Sequence, residues 1–246
     1  MPSSRTIGDL SYGGRPDLPD YQVQVWAASL IVPDGALARL EQCLSEDERQ
    51  RAATYYRPEH IRRFILARAF LREVLAAYRK VGAHEVLFRY ETNGKPLLAG
   101  GDFEFNLSHS EDIACVAVTR GRRVGIDVEV IRENRDFLDI ARRFFAPSEA
   151  ARVEQVHGAE RAREFFAYWT CKEAYLKGRG EGLLSPLDKV KLTFDGTGDE
   201  VNVTDPRGAG PWTLRQLRLR DGLAAAIAVE GGGSVLSTGW WSLHRK

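Results

Sequence analysis

The 246-residue chain, 43% hydrophobic and 28% charged, has room for one large domain or two modest ones around a sizeable core. Its net charge of +1 offers no global field to a polynucleotide or an anionic bilayer, so neither nucleic acid nor membrane is an expected partner. Three cysteines, Cys43, Cys115 and Cys171, stand far apart without CxxC spacing, which excludes a disulfide framework or a zinc ribbon and suits a reducing, cytoplasmic setting.

Residues 1–20 are polar, rich in Gly and Pro, and read as a loose arm without the apolar stretch of a signal peptide. "YQVQVWAASL" alternates as a strand. Ser45 and Glu48 have capping-box spacing and open a helix over "SEDERQRAATYY". Pro58 restarts the chain as a longer helix, with Ile61, Phe64, Ile65, Leu71, Val74, Leu75 and Tyr78 as its apolar side and Gly82 suited to its end. Short strands follow at "EVLFRYE", "FEFNL", "IACVAVT" and "VGIDVEVI", with a turn at Asn93-Gly94. A polar helical stretch begins near Arg135, and an amphipathic helix runs from about Glu160 to Lys177. Strands at "KVKLTF", "WTLRQLRLR" and "LAAAIAVE" come last, the final two joined at Asp221-Gly222. The run "LAAAIAV" is the longest apolar one and is far too short to span a bilayer. These elements place the chain in the α+β class, each half a long helix with a few mostly antiparallel strands. The expected divisions are the arm at 1–20, an N-terminal subdomain at 21–120 and a C-terminal subdomain at 121–246.

As a strand, "VGIDVEVI" puts Gly125, Asp127, Glu129 and Ile131 on one face, so two carboxylates stand side by side in apolar surroundings. Like charges that close repel, and an uncompensated buried carboxylate is costly. Trp169, Glu173 and Lys177 recur at helical spacing in "WTCKEAYLK", and Glu173 joins Asp127 and Glu129 if that helix crosses the strand. Three carboxylates form a hard oxygen site of the kind Mg²⁺ or Mn²⁺ accepts, with Lys177 one turn on for a phosphate. Either segment alone reads as solvated charge; the pair of them, on an aromatic-rich helix, favours the site. In "FNLSHS", Ser108 and His109 are neighbours on a strand and face opposite ways, which argues against a nucleophile–base pair. They suit hydrogen bonding to an anion or, more plainly, a capped turn. Lys95, held by Pro96, can serve a phosphate or simply be solvated. Arg57, Arg62, Arg63 and Arg68 give the first long helix a basic side sufficient for one phosphate and not for a polynucleotide. Cys171 reads as packed filler. His60, His84, His157 and His244 show no metal-ligand spacing.

Together "NGKP", "FNLSHS", "VGIDVE" and "WTCKEAYLKGRGEGL" resemble, in order and wording, the Sfp-type 4′-phosphopantetheinyl transferases over about residues 57 to 190. The resemblance implies a pseudo-twofold arrangement of two similar subdomains, the first on the nucleotide side of coenzyme A and the second on the metal and pyrophosphate side. It implies transfer of the 4′-phosphopantetheine arm of coenzyme A to a serine of an apo acyl, peptidyl or aryl carrier protein, releasing adenosine 3′,5′-bisphosphate. By similarity Asp127, Glu129 and Glu173 hold Mg²⁺, Lys177 meets the pyrophosphate, and Arg63, Lys95, Ser108 and His109 lie on the nucleotide and its phosphates. Glu173 is also the general-base candidate, and Arg63 is chosen among four arginines for the 3′-phosphate. The segment from Glu133 to His157, with Arg142, Arg143, Arg152, Phe137, Leu138, Phe144 and Phe145, is the expected carrier-docking surface. A monomer is expected. The rivals are a metal-dependent phosphohydrolase and a non-catalytic coenzyme A binder.

Overall fold

In the computed structural model, residues 10–11, 16–91, 94–101, 103–133, 137–181, 186–194, 196, 199–208 and 210–243 are described. Strand β1 (Leu10–Ser11) precedes β2 (Gln22–Ser29), then α1 (Asp34–Glu41) and α2 (Glu46–Ala53). The expected capping box is present, the Ser45 N–H donating to Glu48 Oε2 at 3.0 Å, but α2 stops at Ala53 instead of running through Tyr56. Pro58 opens the 22-residue α3 (Pro58–Arg79), which ends at Lys80, a non-glycine residue at φ 59°, two positions before Gly82. Strands β3 (Phe88–Tyr90), β4 (Pro96–Leu98), β5 (Glu104–Ser110) and β6 (Ile113–Thr119) follow.

Strand β7 (Val124–Val130) leads to α4 (Leu138–Phe144) and α5 (Pro147–Gln155), so the polar stretch is two short helices split ahead of Pro147. The second 22-residue helix, α6 (Gly158–Arg179), closes on Gly180 at φ 75°. The strands β8 (Lys191–Phe194), β9 (Glu200–Thr204), β10 (Trp212–Gln216), β11 (Leu223–Glu230) and β12 (Val235–Trp241) complete the chain.

Two compact units result, one closing at Gly121 and taking back the chain from Val235, the other running Arg122–Ser234. The expected assignment of everything after residue 120 to one subdomain therefore fails at the C-terminal end, because β12 lies between β1 and β2. The first unit's sheet, ordered β1-β12-β2-β6-β5, is mixed: β12 runs parallel to β1 and β2. The second unit's sheet, β7-β11-β10-β9-β8, is antiparallel throughout, as expected. Within the expected arm β1 is paired and Leu18 is buried; residues 1–9 and 12–15 lie outside the described set.

In the first unit α3 buries Phe64, Phe70, Leu71 and Leu75 against the sheet, with Arg68 and Arg72 among them. Glu48 makes that tolerable: Arg68 Nε and Arg72 Nε donate to its two oxygens at 2.8 and 2.6 Å. In the second unit α6 lies on β7, β10 and β11, and its core is a run of aromatic rings around Phe165. Trp169 stacks on Phe165 with ring centroids 5.8 Å apart. A buried pair ties α6 to α5, Lys172 Nζ lying 2.8 Å from Glu149 while donating to the carbonyls of Leu187 and Val190.

Candidate active site

The site on the second unit follows from one close approach. A Cβ at Gly125 would fall 2.0 Å from the Ala174 carbonyl and 2.3 Å from the Gly178 N. Only a glycine on β7 lets α6 settle this near, and the alternation of the strand then turns Asp127 toward the helix. Asp127 and Glu173 are both buried, and Lys177 Nζ donates to Asp127 Oδ1 at 2.5 Å. Glu173 Oε1 is buried and meets no hydrogen-bond donor among the described residues. Burial, then the Asp127 charge, pushes the Glu173 carboxyl up to about 7; Lys177 opposes this and Glu129 adds to it. The three carboxylates thus share one field. Among the described residues no three acidic, His or Cys side chains already converge as a metal cage, and a lysine ammonium is the cation on Asp127.

On the first unit, Ser108 is buried and His109 exposed, their partners across β6 being Cys115 and Ala114. Opposite facing is thereby confirmed and a Ser-His dyad excluded. Strand β5 reaches Ser110, so both residues lie within it. Lys95 is half-buried beyond a tight turn in which the Gly94 N–H donates to the Glu91 carbonyl at 2.8 Å; Asn93 lies outside the described residues. The four arginines separate by their partners. Arg68 is buried on Glu48, Arg62 pairs with Asp34, Arg57 with Glu59, and Arg63 Nε lies 3.1 Å from Asp112. Arg68 therefore has a structural role. A cavity of about 270 Å³ is lined by Asp47, Glu48, Arg51, Phe64, Arg68, Tyr90 and Gly94, the residue before Lys95. Arg51 sits over the Phe64 ring at 5.7 Å and makes no ion pair among the described residues. Sequence reasoning missed it, because only the packing of α2 on α3 brings the two together.

Residues 123–228 match the 4′-phosphopantetheinyl transferase superfamily, and residues 33–121 the N-terminal family of 4′-phosphopantetheinyl transferases. The 4′-phosphopantetheinyl transferase HetI of Nostoc sp. is 39% identical over 216 residues, covering 86% of this chain and 89% of that protein. The chain belongs to the 4′-phosphopantetheinyl transferase superfamily. A phosphopantetheinyl transferase of Thraustochytrium sp. is 30% identical, with 86% and 80% of the two chains covered, and the transferase Sfp of Bacillus subtilis is 27% identical, with 77% and 83% covered. Of the residues expected at the metal, Asp127 and Glu129 lie on β7 and Glu173 on α6 of one unit, and the charges of Asp127 and Glu129 both act on Glu173. In the expected docking segment Phe137 and Phe145 are buried in the aromatic core, while Arg142 and Arg152, paired with Glu154 and Glu164, stay at the surface. Cys171 is buried, and burial pushes its thiol up, as filler should be.

Proposed function

We propose that this chain transfers the 4′-phosphopantetheine moiety of coenzyme A to a serine of an apo carrier protein. The observation that supports it is the buried Glu173 carboxylate with an orphaned oxygen in the field of Asp127 and Glu129. Such an arrangement wants a cation. Hard oxygen donors fit Mg²⁺ or Mn²⁺, and Asp127, Glu129 and Glu173 would hold it. Bound there, the ion would neutralise charge on the pyrophosphate. The Lys177 side chain is 30% exposed where Asp127 is 5%, so its ammonium can also reach a phosphate oxygen. In the transfer the serine Oγ bonds to the phosphorus that carries pantetheine. The P–O bond on the nucleotide side breaks, and adenosine 3′,5′-bisphosphate leaves with the bridging oxygen. The serine proton goes to a carboxylate, and Glu173, beside the site where the phosphorus would be held, is the candidate to accept it. Arg63, Lys95, Ser108 and His109 are assigned to the nucleotide and its phosphates, with Arg51 a further cation for that end. We take the protein to act as a cytoplasmic monomer; no described helix is long and apolar enough to cross a membrane. A phosphohydrolase or a non-catalytic binder is not what the relatives' names favour.

The test is the intact mass of several apo carrier proteins after incubation with this chain, coenzyme A and Mg²⁺. A gain of one phosphopantetheine, abolished by chelator, is expected. Free phosphopantetheine with unmodified carriers would mean hydrolysis and remove the transferase reading.

A further inference from the structure

The second unit also holds a groove of about 780 Å³ that none of the assigned metal-side residues lines. Its floor is apolar, built from Leu192 and Phe194 of β8, Leu217 beyond β10 and Leu223 of β11, with Ala167 and Tyr168 of α6 beside them. Three guanidinium groups, of Arg152, Arg163 and Arg218, stand around it together with the carboxylates of Glu149, Glu160, Glu164 and Asp199. Arg152 is paired with Glu164 and Arg218 with Asp199, each at 3.0 Å, while Arg163 is exposed and makes no ion pair among the described residues. One end of the groove adjoins the carboxylates. Ala224 is the pairing partner of Glu129 across β7 and β11, and Ile131 follows Glu129 by two positions; both line the groove.

We propose that this groove seats the apo carrier protein, an inference that rests on the transferase reading. The acceptor serine has to reach a phosphorus held at the carboxylates, so the carrier must cover the surface next to Glu129, and the groove is that surface. An apolar floor with Tyr and Arg inside a charged rim has the make-up of a protein interface. A pantetheine chain carries no charge and has no use for three guanidinium groups. Exposed ion pairs such as those of Arg152 and Arg218 are worth only about 0–1 kcal/mol, so their cations can exchange acids with a partner. The carrier segment that fits has an apolar side chain for the floor and at least one carboxylate for Arg163. The groove also supplies the apolar contact that Phe137 and Phe145, being buried, do not.

The experiment is steady-state transfer by the full chain carrying Arg163→Glu or Leu223→Arg, on an apo carrier that the unaltered chain modifies. Reversing a desolvated charge contact at an interface should raise KM for the carrier by about tenfold or more, with kcat and KM for coenzyme A unchanged. A rise in KM for coenzyme A with the carrier's unchanged would give the groove to the pantetheine arm and overturn the proposal. No change in either constant overturns it as well. If Leu223→Arg fails to fold, Arg163→Glu combined with Arg218→Glu, both on exposed side chains, carries the same test. Transfer by the unaltered chain is the control that separates this inference from the activity itself; without it both fall.

Discussion

The chemistry is concentrated in a few side chains whose protonation and partners differ from those of ordinary surface groups. Asp127 and Glu173 face each other from β7 and α6 with one lysine as counter-charge. Asp127→Ala or Glu173→Ala should lower transfer by about 10²-fold or more, as does removal of a single electrostatic stabiliser in other sites. The melting curve should hold, since a buried like-charge pair is relieved. Near-normal rates of carrier mass gain in either variant would take that residue out of the site. For the nucleotide, the contest is between Arg63, half engaged by Asp112, and Arg51, which has no acid partner among the described residues. A lost hydrogen bond to a charged group is worth about 1.5–3 kcal/mol, roughly a tenfold to hundredfold change in affinity. Arg63→Ala should weaken coenzyme A by that factor and dephospho-coenzyme A much less. If Arg51→Ala shows the selective loss instead, the 3′-phosphate belongs to Arg51. The carboxylates were legible because strand and helix periodicities placed them on definable faces. Arg51 was not, because its environment is a contact between two helices that no local pattern encodes.

Among the elements, α6 and β7 determine whether those carboxylates meet, and Gly125 sets their separation. Gly125→Ala pushes a methyl into the Ala174 carbonyl and the Gly178 N, backbone atoms that cannot step aside. Overpacking of this kind costs about 1–3 kcal/mol, read as a lower denaturation midpoint. Transfer should fall with it even where the variant is fully folded, because Glu173 moves with α6; unchanged stability and rate would contradict the close approach. The turn after β9 is tied to α6 by a second device. Asp205 accepts from Arg207, pairs with Arg179 and lies 3.2 Å from the Tyr175 hydroxyl. Burial alone would raise this carboxyl, but the Arg207 hydrogen bonds and the two arginine charges hold it down to about 2, below its usual 3.8. A depressed pKa means stabilisation that is present above about pH 4 and lost as pH falls from there toward 2. Asp205→Asn should therefore be less stable than the unaltered chain at pH 7, and the gap in urea midpoint should shrink below pH 4. A gap independent of pH would show that the charge is not what matters. Both long helices and β7 could be read from capping, proline and periodicity. Strand β4 escaped because its three residues are too few to alternate, and β9, although "EVNVT" alternates, because it sits between the turn-rich stretches "DGTGD" and "DPRGAG".

At the scale of the whole molecule the chain is not two consecutive halves, since its last strand returns to the first unit. Nothing local in "VLSTGWW" announces this. Gly239 and two hydroxyl residues interrupt its pattern, and its partners in β2 lie some two hundred residues earlier in sequence. The expectation put everything after residue 120 in one subdomain, whereas the chain from Val235 belongs with the first unit. The energetics of β12 make the difference measurable. It pairs with β2 along its length, Trp241 meets Trp26 edge-on with centroids 5.4 Å apart, and the Trp241 indole N–H donates to Glu73 on α3 at 2.9 Å. A chain ending at Ser234 would leave one edge of β2 without its partner, open Trp26 to water and take from Glu73 the Trp241 donor, leaving only Arg39 beside it among the described residues. Losing a buried Trp alone costs about 3–5 kcal/mol, a large part of the 5–15 kcal/mol that holds a typical domain together. The second unit loses no residue by this cut. Limited proteolysis followed by mass spectrometry should then find a protected fragment over Arg122–Ser234 and rapid digestion of the chain before Gly121. Equal protection of both would mean that the first unit folds without β12, and that the boundary near residue 120 was sufficient after all.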